Sequence, residues 1–141
     1  MTARHARFAE LDTGTLYAIL KLRSEVFVVE QSCAYLDPDG HDVEAEHWWI
    51  ERDGTVATYL RVLSDADGYT RIGRVVTAEP ARRQGLAASL LQDVLNSTSP
   101  PWRLAAQTQL VPWYEQFGFG VCGAEFDEDG IGHTPMERAT R

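Results

Sequence analysis

A single mixed α/β domain is what this sequence predicts, and three observations carry that expectation. Apolar residues recur at strand spacing in some segments and at helix spacing in others, and the two kinds of segment alternate along the chain. With 141 residues and 44% hydrophobic content, residues 1–141 suffice for one sizeable core and fall short of two. The expected order is β-α-loop-βββ-α-β-α-ββ. Such an order gives a mixed sheet with helices on both faces and a parallel pair across the central crossover helix.

Each element has a local reason. "RFAEL" alternates as a short strand, and Asp12 and Thr13 offer helix caps. "TLYAILKLRSEVFVVEQ" then places Leu16, Ile19, Leu20, Val26, Phe27 and Val29 near helical spacing, with charges between them. From Cys33 to Glu46, Pro38 and Gly40 break any period and five carboxylates collect, which reads as a solvated acidic loop with room for one helical turn. "HWWIE" and "TVATYLRVL" flank the turn Asp53-Gly54 as a hairpin, and "YTRIGRVVT" follows a second turn as a third strand. Leu86, Leu90, Leu91, Val94 and Leu95 form the stripe of the next helix, which ends at "NSTSPP". "WRLAAQT" is a buried strand, "LVPWYEQFGF" a short helix closed by Gly118, and the chain finishes in a hairpin turning at Asp129-Gly130.

Composition narrows the function classes. A net charge of -8 disfavours a duplex nucleic-acid binder, which needs a basic face to neutralise phosphates. No stretch reaches the ~18 apolar residues of a membrane span, and "MTARHARFAELD" lacks the apolar core of a signal peptide, so a cytoplasmic protein is expected. Cys33 and Cys122 lack metal-ligand or redox spacing, and no metal site is expected. "DPDGHD" fails as a calcium loop because its glycine comes too early and no glutamate closes the twelve-residue frame. No Gly-x-Ser-x-Gly elbow supports a hydrolase.

One stretch points to a ligand. In "RVVTAEPARRQGLAASLL" a β-branched strand runs through a turn with two arginines and one glycine into an amphipathic helix. A helix start leaves its first N–H groups unpaired and carries about half a positive charge, which suits a phosphate. Gly85 permits close backbone approach, Ala87 is small, and Arg82 and Arg83 can donate charge-assisted hydrogen bonds.

The motif "RRQGLA" resembles the Arg/Gln-x-x-Gly-x-Gly/Ala element of the GNAT superfamily of N-acetyltransferases, which binds the pyrophosphate of acetyl-CoA. The preceding "GRVVT", the following "RLAAQT" and the aromatic-Tyr-x-x-x-Gly-Phe pattern in "WYEQFGF" extend the likeness. "LRSEVFVVEQSCAYLDPDGHD" and "EDGIGHTPM" are similar to the ElaA-like subgroup. Pro80 lies one residue later than usual, and Arg83 stands where a glycine is common. The resemblance implies a GNAT-like sheet and acetyl-CoA as co-substrate. It implies that Val75, Val76 and Thr77 offer backbone groups to the pantetheine arm, that Arg82, Arg83, Gln84, Gly85, Leu86 and Ala87 hold the phosphates, and that Tyr114 is the general acid toward the CoA thiolate.

The acceptor side is open at this level. Glu30, His47 and His133 are the candidates for a base or acceptor-site group, with Asp37 and Asp39 nearby in sequence. The expected partner is a small-molecule or peptide amine, and the protein is expected to be a monomer or homodimer. A non-catalytic acyl-CoA-binding sensor or scaffold is the alternative of another class.

Overall fold

The structure, a computed structural model, describes residues 2–141. Eight strands form one sheet: β1 (Arg4–Arg7), β2 (Glu46–Arg52), β3 (Thr55–Ser64), β4 (Thr70–Thr77), β5 (Trp102–Gln107), β6 (Gly120–Val121), β7 (Phe126–Glu128) and β8 (Ile131–Arg138). They lie in the order β1-β2-β3-β4-β5-β8-β6, with β7 also on β8. All pairings are antiparallel except β4 with β5, the parallel pair expected across the crossover. The helices are α1 (Thr13–Arg23), α2 (Leu86–Ser97) and α3 (Val111–Glu115). Among the described residues no helix is long and apolar enough to cross a membrane.

Strand alternation divides the core between two faces. Trp48 and Ile50 of β2, Leu60 and Val62 of β3 and Ile72 of β4 meet Leu90, Leu91, Val94 and Leu95 of α2. Trp49, Tyr59 and Val76 point the other way, onto Ile19 and Leu22 of α1. Burial of each such leucine or valine contributes roughly 1.5–3 kcal/mol. The tryptophans Trp48 and Trp49 are therefore core residues.

Three expected elements differ. The first strand lies at Arg4–Arg7, not at Arg7–Leu11, because Phe8–Glu10 is a 3-10 turn. Glu10 reaches back to the Arg7 N–H at 2.9 Å, and Asp12 caps α1 by accepting from the Thr15 N–H at 2.6 Å. The chain must turn before a helix that starts there. The helix beyond α1 continues as a wider π-helical segment, Ser24–Glu30, whose pattern shows in Gln31 N–H to Val26 O and Cys33 N–H to Val28 O. The outer edge of β8 carries two strands instead of one, with β6 added before β7.

The acidic loop is only partly solvated: Asp37 and Asp42 are buried, while Asp39 and Glu44 keep an exposed side. Asp37, Asp39 and Asp42 close a ring of alternating charges with Arg23 of α1, Arg61 of β3 and Arg74 of β4. Around the ring, Arg23 meets Asp37 at 2.8 Å, Asp37 meets Arg74 at 2.9 Å, and Arg74 meets Asp39 at 3.4 Å. Asp39 meets Arg61 at 2.6 Å, Arg61 meets Asp42 at 3.0 Å, and Asp42 meets Arg23 at 2.7 Å. Arg23 and Asp37 are 0% and 2% exposed. Charges so deeply buried persist only when each is paired and hydrogen-bonded, and the ring pairs every member twice.

Candidate functional site

The site begins where β4 leaves β5. Their paired positions are Thr70↔Trp102 and Arg71↔Arg103, so from Ile72 onward the two parallel strands no longer pair, and the unpaired stretch between their C-terminal halves is the candidate cleft. At the same place β4 carries a bulge. Tyr59↔Val76 and Arg61↔Gly73 leave one extra β4 residue opposite Leu60, and Arg74 sits there at φ 54. A non-glycine residue in the left-handed region costs about 1–2 kcal/mol, which the ring contacts of Arg74 offset. The bulge resets the alternation. Val75 turns toward the α2-side core and Val76 toward α1.

Backbone directions follow. The Val76 carbonyl accepts from Thr58 Oγ1 at 2.9 Å and the Ala78 N–H donates to Ala57 O at 2.8 Å, both toward β3. Alternation aims the backbone of Val75 and Thr77 at the cleft, and removes Val76 from that role. The Thr77 carbonyl is already bonded by Arg82 Nε at 3.1 Å.

The turn "RRQGLA" heads α2 as expected from sequence. Gly85 is the cap residue at φ 74, no side chain caps the helix, and a Cβ placed at Gly85 would meet open space. The first N–H groups of α2 therefore face outward beside a residue with no bulk. Arg83 takes φ 65, a conformation natural to the glycine that often stands there. Gln84 folds back to Pro80 O at 3.3 Å, and Leu86 packs against the α2-side core next to half-buried Ala87.

Arg82 does not stand free for a phosphate. Its guanidinium grips Glu30 with two hydrogen bonds of 2.9 and 2.8 Å. The same contact lowers the carboxyl of Glu30 below its ordinary range, through hydrogen bonding first and charge second, and makes it a poor base. Arg83, exposed and without an ion pair among the described residues, is the available cation of the turn. The neighbouring Gln31 exchanges amide hydrogen bonds of 3.3 Å with Gln107 at the end of β5. The end of the π-helical segment thus bonds the turn after β4 on one side and the tip of β5 on the other. Neither contact was legible as a motif.

His47 is a structural residue. It is fully buried, with Nε2 2.8 Å from the Asp42 carbonyl and Nδ1 2.6 Å from the Tyr59 hydroxyl. A carbonyl only accepts, so the proton belongs on Nε2 and Nδ1 accepts from Tyr59, leaving no nitrogen for a substrate. His133, across from Gln107 in the β5–β8 register, donates Nδ1–H to the Ile131 carbonyl at 2.8 Å. Its Nε2 is left as an acceptor, 3.8 Å from Glu128.

Tyr114 of α3 is 5% exposed and lies edge-on to Trp113 and Phe119, in the same apolar cluster as Val75 and Leu86. No group among the described residues hydrogen-bonds its oxygen, and that oxygen is not among the sealed polar atoms. Burial raises the phenol above its usual range, so it stays protonated at neutral pH. On the other side of the sheet a cavity of about 380 Å³ between the π-helical segment and Ala78–Pro80 is lined by Glu25, Glu30 and Glu79 among apolar residues.

These ionisations set a pH profile. His47 is depressed by burial, so its contribution to stability is complete above the unfolded value of about 6.5 and is lost as pH falls below it. Hydrogen bonds from Arg61 depress Asp39; for Asp42, burial opposes ionisation and the Arg23 contacts outweigh it. Their contribution is present above about 3.9 and lost as pH falls further. Melting temperatures measured from pH 8 to 3 should therefore stay level to about pH 6.5, decline gently, then drop steeply below about pH 4. The gentle decline should vanish in His47→Gln; a melting temperature that rises between pH 7 and 5 in the parent contradicts a neutral buried His47.

Residues 21–140 match the family model described as an acetyltransferase (GNAT) domain. Over 136 residues the chain is 46% identical to UPF0039 protein Rv2851c of Mycobacterium tuberculosis, covering 92% of this chain and 87% of that protein. It is 37% identical over 140 residues to Protein ElaA of Escherichia coli, covering 92% and 91%. The crystal structure of E. coli ElaA superposes with a TM-score of 0.89 at 33% identity, over 97% of this chain and 98% of that one. The crystal structure of an acyl-CoA N-acyltransferase from Pseudomonas aeruginosa superposes with a TM-score of 0.92 at 37% identity, over 99% and 100%.

Proposed function

The chain belongs to the GNAT acetyltransferase family, whose fold supports acyl-CoA-dependent acyl transfer, and from that premise we propose that it moves an acetyl group from acetyl-CoA directly to an amine within a ternary complex. The observation that supports this reading is that Val75 of β4, Leu86 at the uncapped start of α2 and Tyr114 pack in one apolar cluster, next to the stretch where β4 and β5 no longer pair. The pyrophosphate sits on the α2 N–H groups beside Gly85, with Arg83 adding charge, and the pantetheine arm pairs with the backbone of Val75.

In the transfer, the amine nitrogen attacks the thioester carbonyl, the C–S bond breaks, and the Tyr114 hydroxyl gives its proton to the departing sulfur. The amine loses a proton to His133 Nε2, the acceptor nitrogen left by the geometry of the three candidates, or to water on the way to it. Solvent then returns a proton to the phenolate.

Acetyl-CoA should raise the melting temperature in a concentration-dependent way, since it binds the native state alone. Release of CoA thiol on adding a panel of primary amines then supports an enzyme; binding with no thiol release would replace this reading with an acyl-CoA sensor. Gly85 supplies a second check. Valine there would add backbone strain at φ 74 to any steric block, so Gly85→Asn is the cleaner variant, because asparagine tolerates the left-handed region. Calorimetry should show CoA affinity reduced at least ~10-fold, with the melting temperature within a few degrees of the parent. Unchanged affinity would remove the phosphates from this turn.

A further inference from the structure

We propose that Asp37 and Asp39 of the acidic loop are positioning residues for the acyl-CoA cleft, acting through Arg74 to hold the β4 bulge. This inference rests on the acyl-transfer reading for its consequence, though the coupling itself is a property of the ligand-free protein. Arg74 is the residue that makes the bulge, at φ 54, and a β-strand gives an arginine no reason to adopt that conformation. The loop supplies the reason. Arg74 Nη2 donates to the Asp37 carbonyl at 3.1 Å and to Asp39 Oδ2 at 3.4 Å, and its guanidinium lies over the Tyr35 ring at 5.6 Å. Asp37 is itself fixed by Arg23 Nε at 2.8 Å and by the Tyr35 hydroxyl at 2.6 Å, and Asp39 by both terminal nitrogens of Arg61. Arg74 Nε lies 2.9 Å from Asp37 Oδ1, but its N–H is not directed there; the grip on Arg74 comes from the tip of its side chain and from the aromatic face.

The consequence reaches the cleft one residue later. Were the bulge to relax into regular strand, every β4 residue beyond it would turn to the opposite face, because the side-chain period of a strand is two. Val75 would leave the α2-side cluster that holds Tyr114 and Leu86, and its backbone groups would turn from the cleft toward β3. A loop some thirty-five residues away in sequence therefore sets which backbone groups line the site.

Two kinds of variant test this. Asp39→Asn keeps the shape and removes the charge. Amide hydrogen exchange at Val76 and Ala78, which face β3, should accelerate at least ~10-fold, while Leu90 and Leu91 in α2 exchange as in the parent. CoA affinity by calorimetry should fall at least ~10-fold. Equal acceleration at all four amides, or none, would overturn the proposal, since a merely stabilising ring loosens the whole domain. Arg74→Gly and Arg74→Val delete the same charge and differ in their tolerance of positive φ. The valine variant should bind CoA at least ~10-fold more weakly than the glycine variant; equal affinities would show that the bulge conformation is not what the ring provides. Should the parent itself fail to bind CoA, the acyl-transfer reading falls, and the exchange comparison still decides the coupling.

Discussion

Tyr114→Phe should bind acetyl-CoA as the parent does and melt at the same temperature, while its single-turnover rate of acetyl transfer falls at least ~10-fold. The ring supplies the packing: it is buried among Trp113 and Phe119, and phenylalanine keeps that area. The oxygen supplies no packing and has no protein partner to strand, so its removal leaves no unsatisfied group behind. What it removes is the proton for the leaving thiolate. The comparison belongs in single-turnover mode, with the best amine from the panel, so that product release does not mask the chemistry. Burial also decides the pH behaviour. With the phenol raised above its usual value of about 10, the parent should show no alkaline loss of rate from this group below that pH. An unchanged single-turnover rate in Tyr114→Phe would return the residue to a packing role alone.

Arg23→Ala should produce the largest loss of stability of any single substitution considered for this protein, about 3–5 kcal/mol. The guanidinium is fully buried and bonds Asp37 at 2.8 Å and Asp42 at 2.7 and 3.2 Å. Its removal leaves two buried carboxylates each short of a partner, and the desolvation already imposed on them is no longer offset. Lys21→Ala is the control. Lys21 pairs with Glu25 at 3.3 Å on the exposed side of the same helix, 66% exposed, and its loss should fall within about 0.5 kcal/mol. Urea denaturation of the three proteins measures both. If Arg23→Ala lies within about 1 kcal/mol of the parent, the ring contributes nothing net, and the acidic loop must be held by something else.

The elements were legible because each depends on residues close in sequence. The Asp12 cap, the α2 stripe, the Asp53-Gly54 hairpin and the Gly85 turn all form from groups within a few positions, so period and turn chemistry suffice to find them. The parallel β4–β5 pair followed from a helix lying between two apolar strands. The first strand was misplaced by a few residues because a helix cap and a 3-10 turn took "FAEL" from it.

By itself, then, the sequence determined the family and, apart from the added β6 and the π-helical segment, the order of elements, since those rest on local pattern and on motifs. Only the tertiary structure decided which polar groups were already taken. Arg82 met Glu30 across 52 positions, Gln31 met Gln107 across 76, and Arg23 and Arg61 each met Asp42 across 19. His47 lost both nitrogens to a tyrosine and a carbonyl brought beside it by folding. A charge or an imidazole has the same letter whether it is free or paired, and pairing is a matter of distance in space; five acidic residues in a loop read as solvated until the fold carries three arginines to within reach of three of them, Asp37, Asp39 and Asp42.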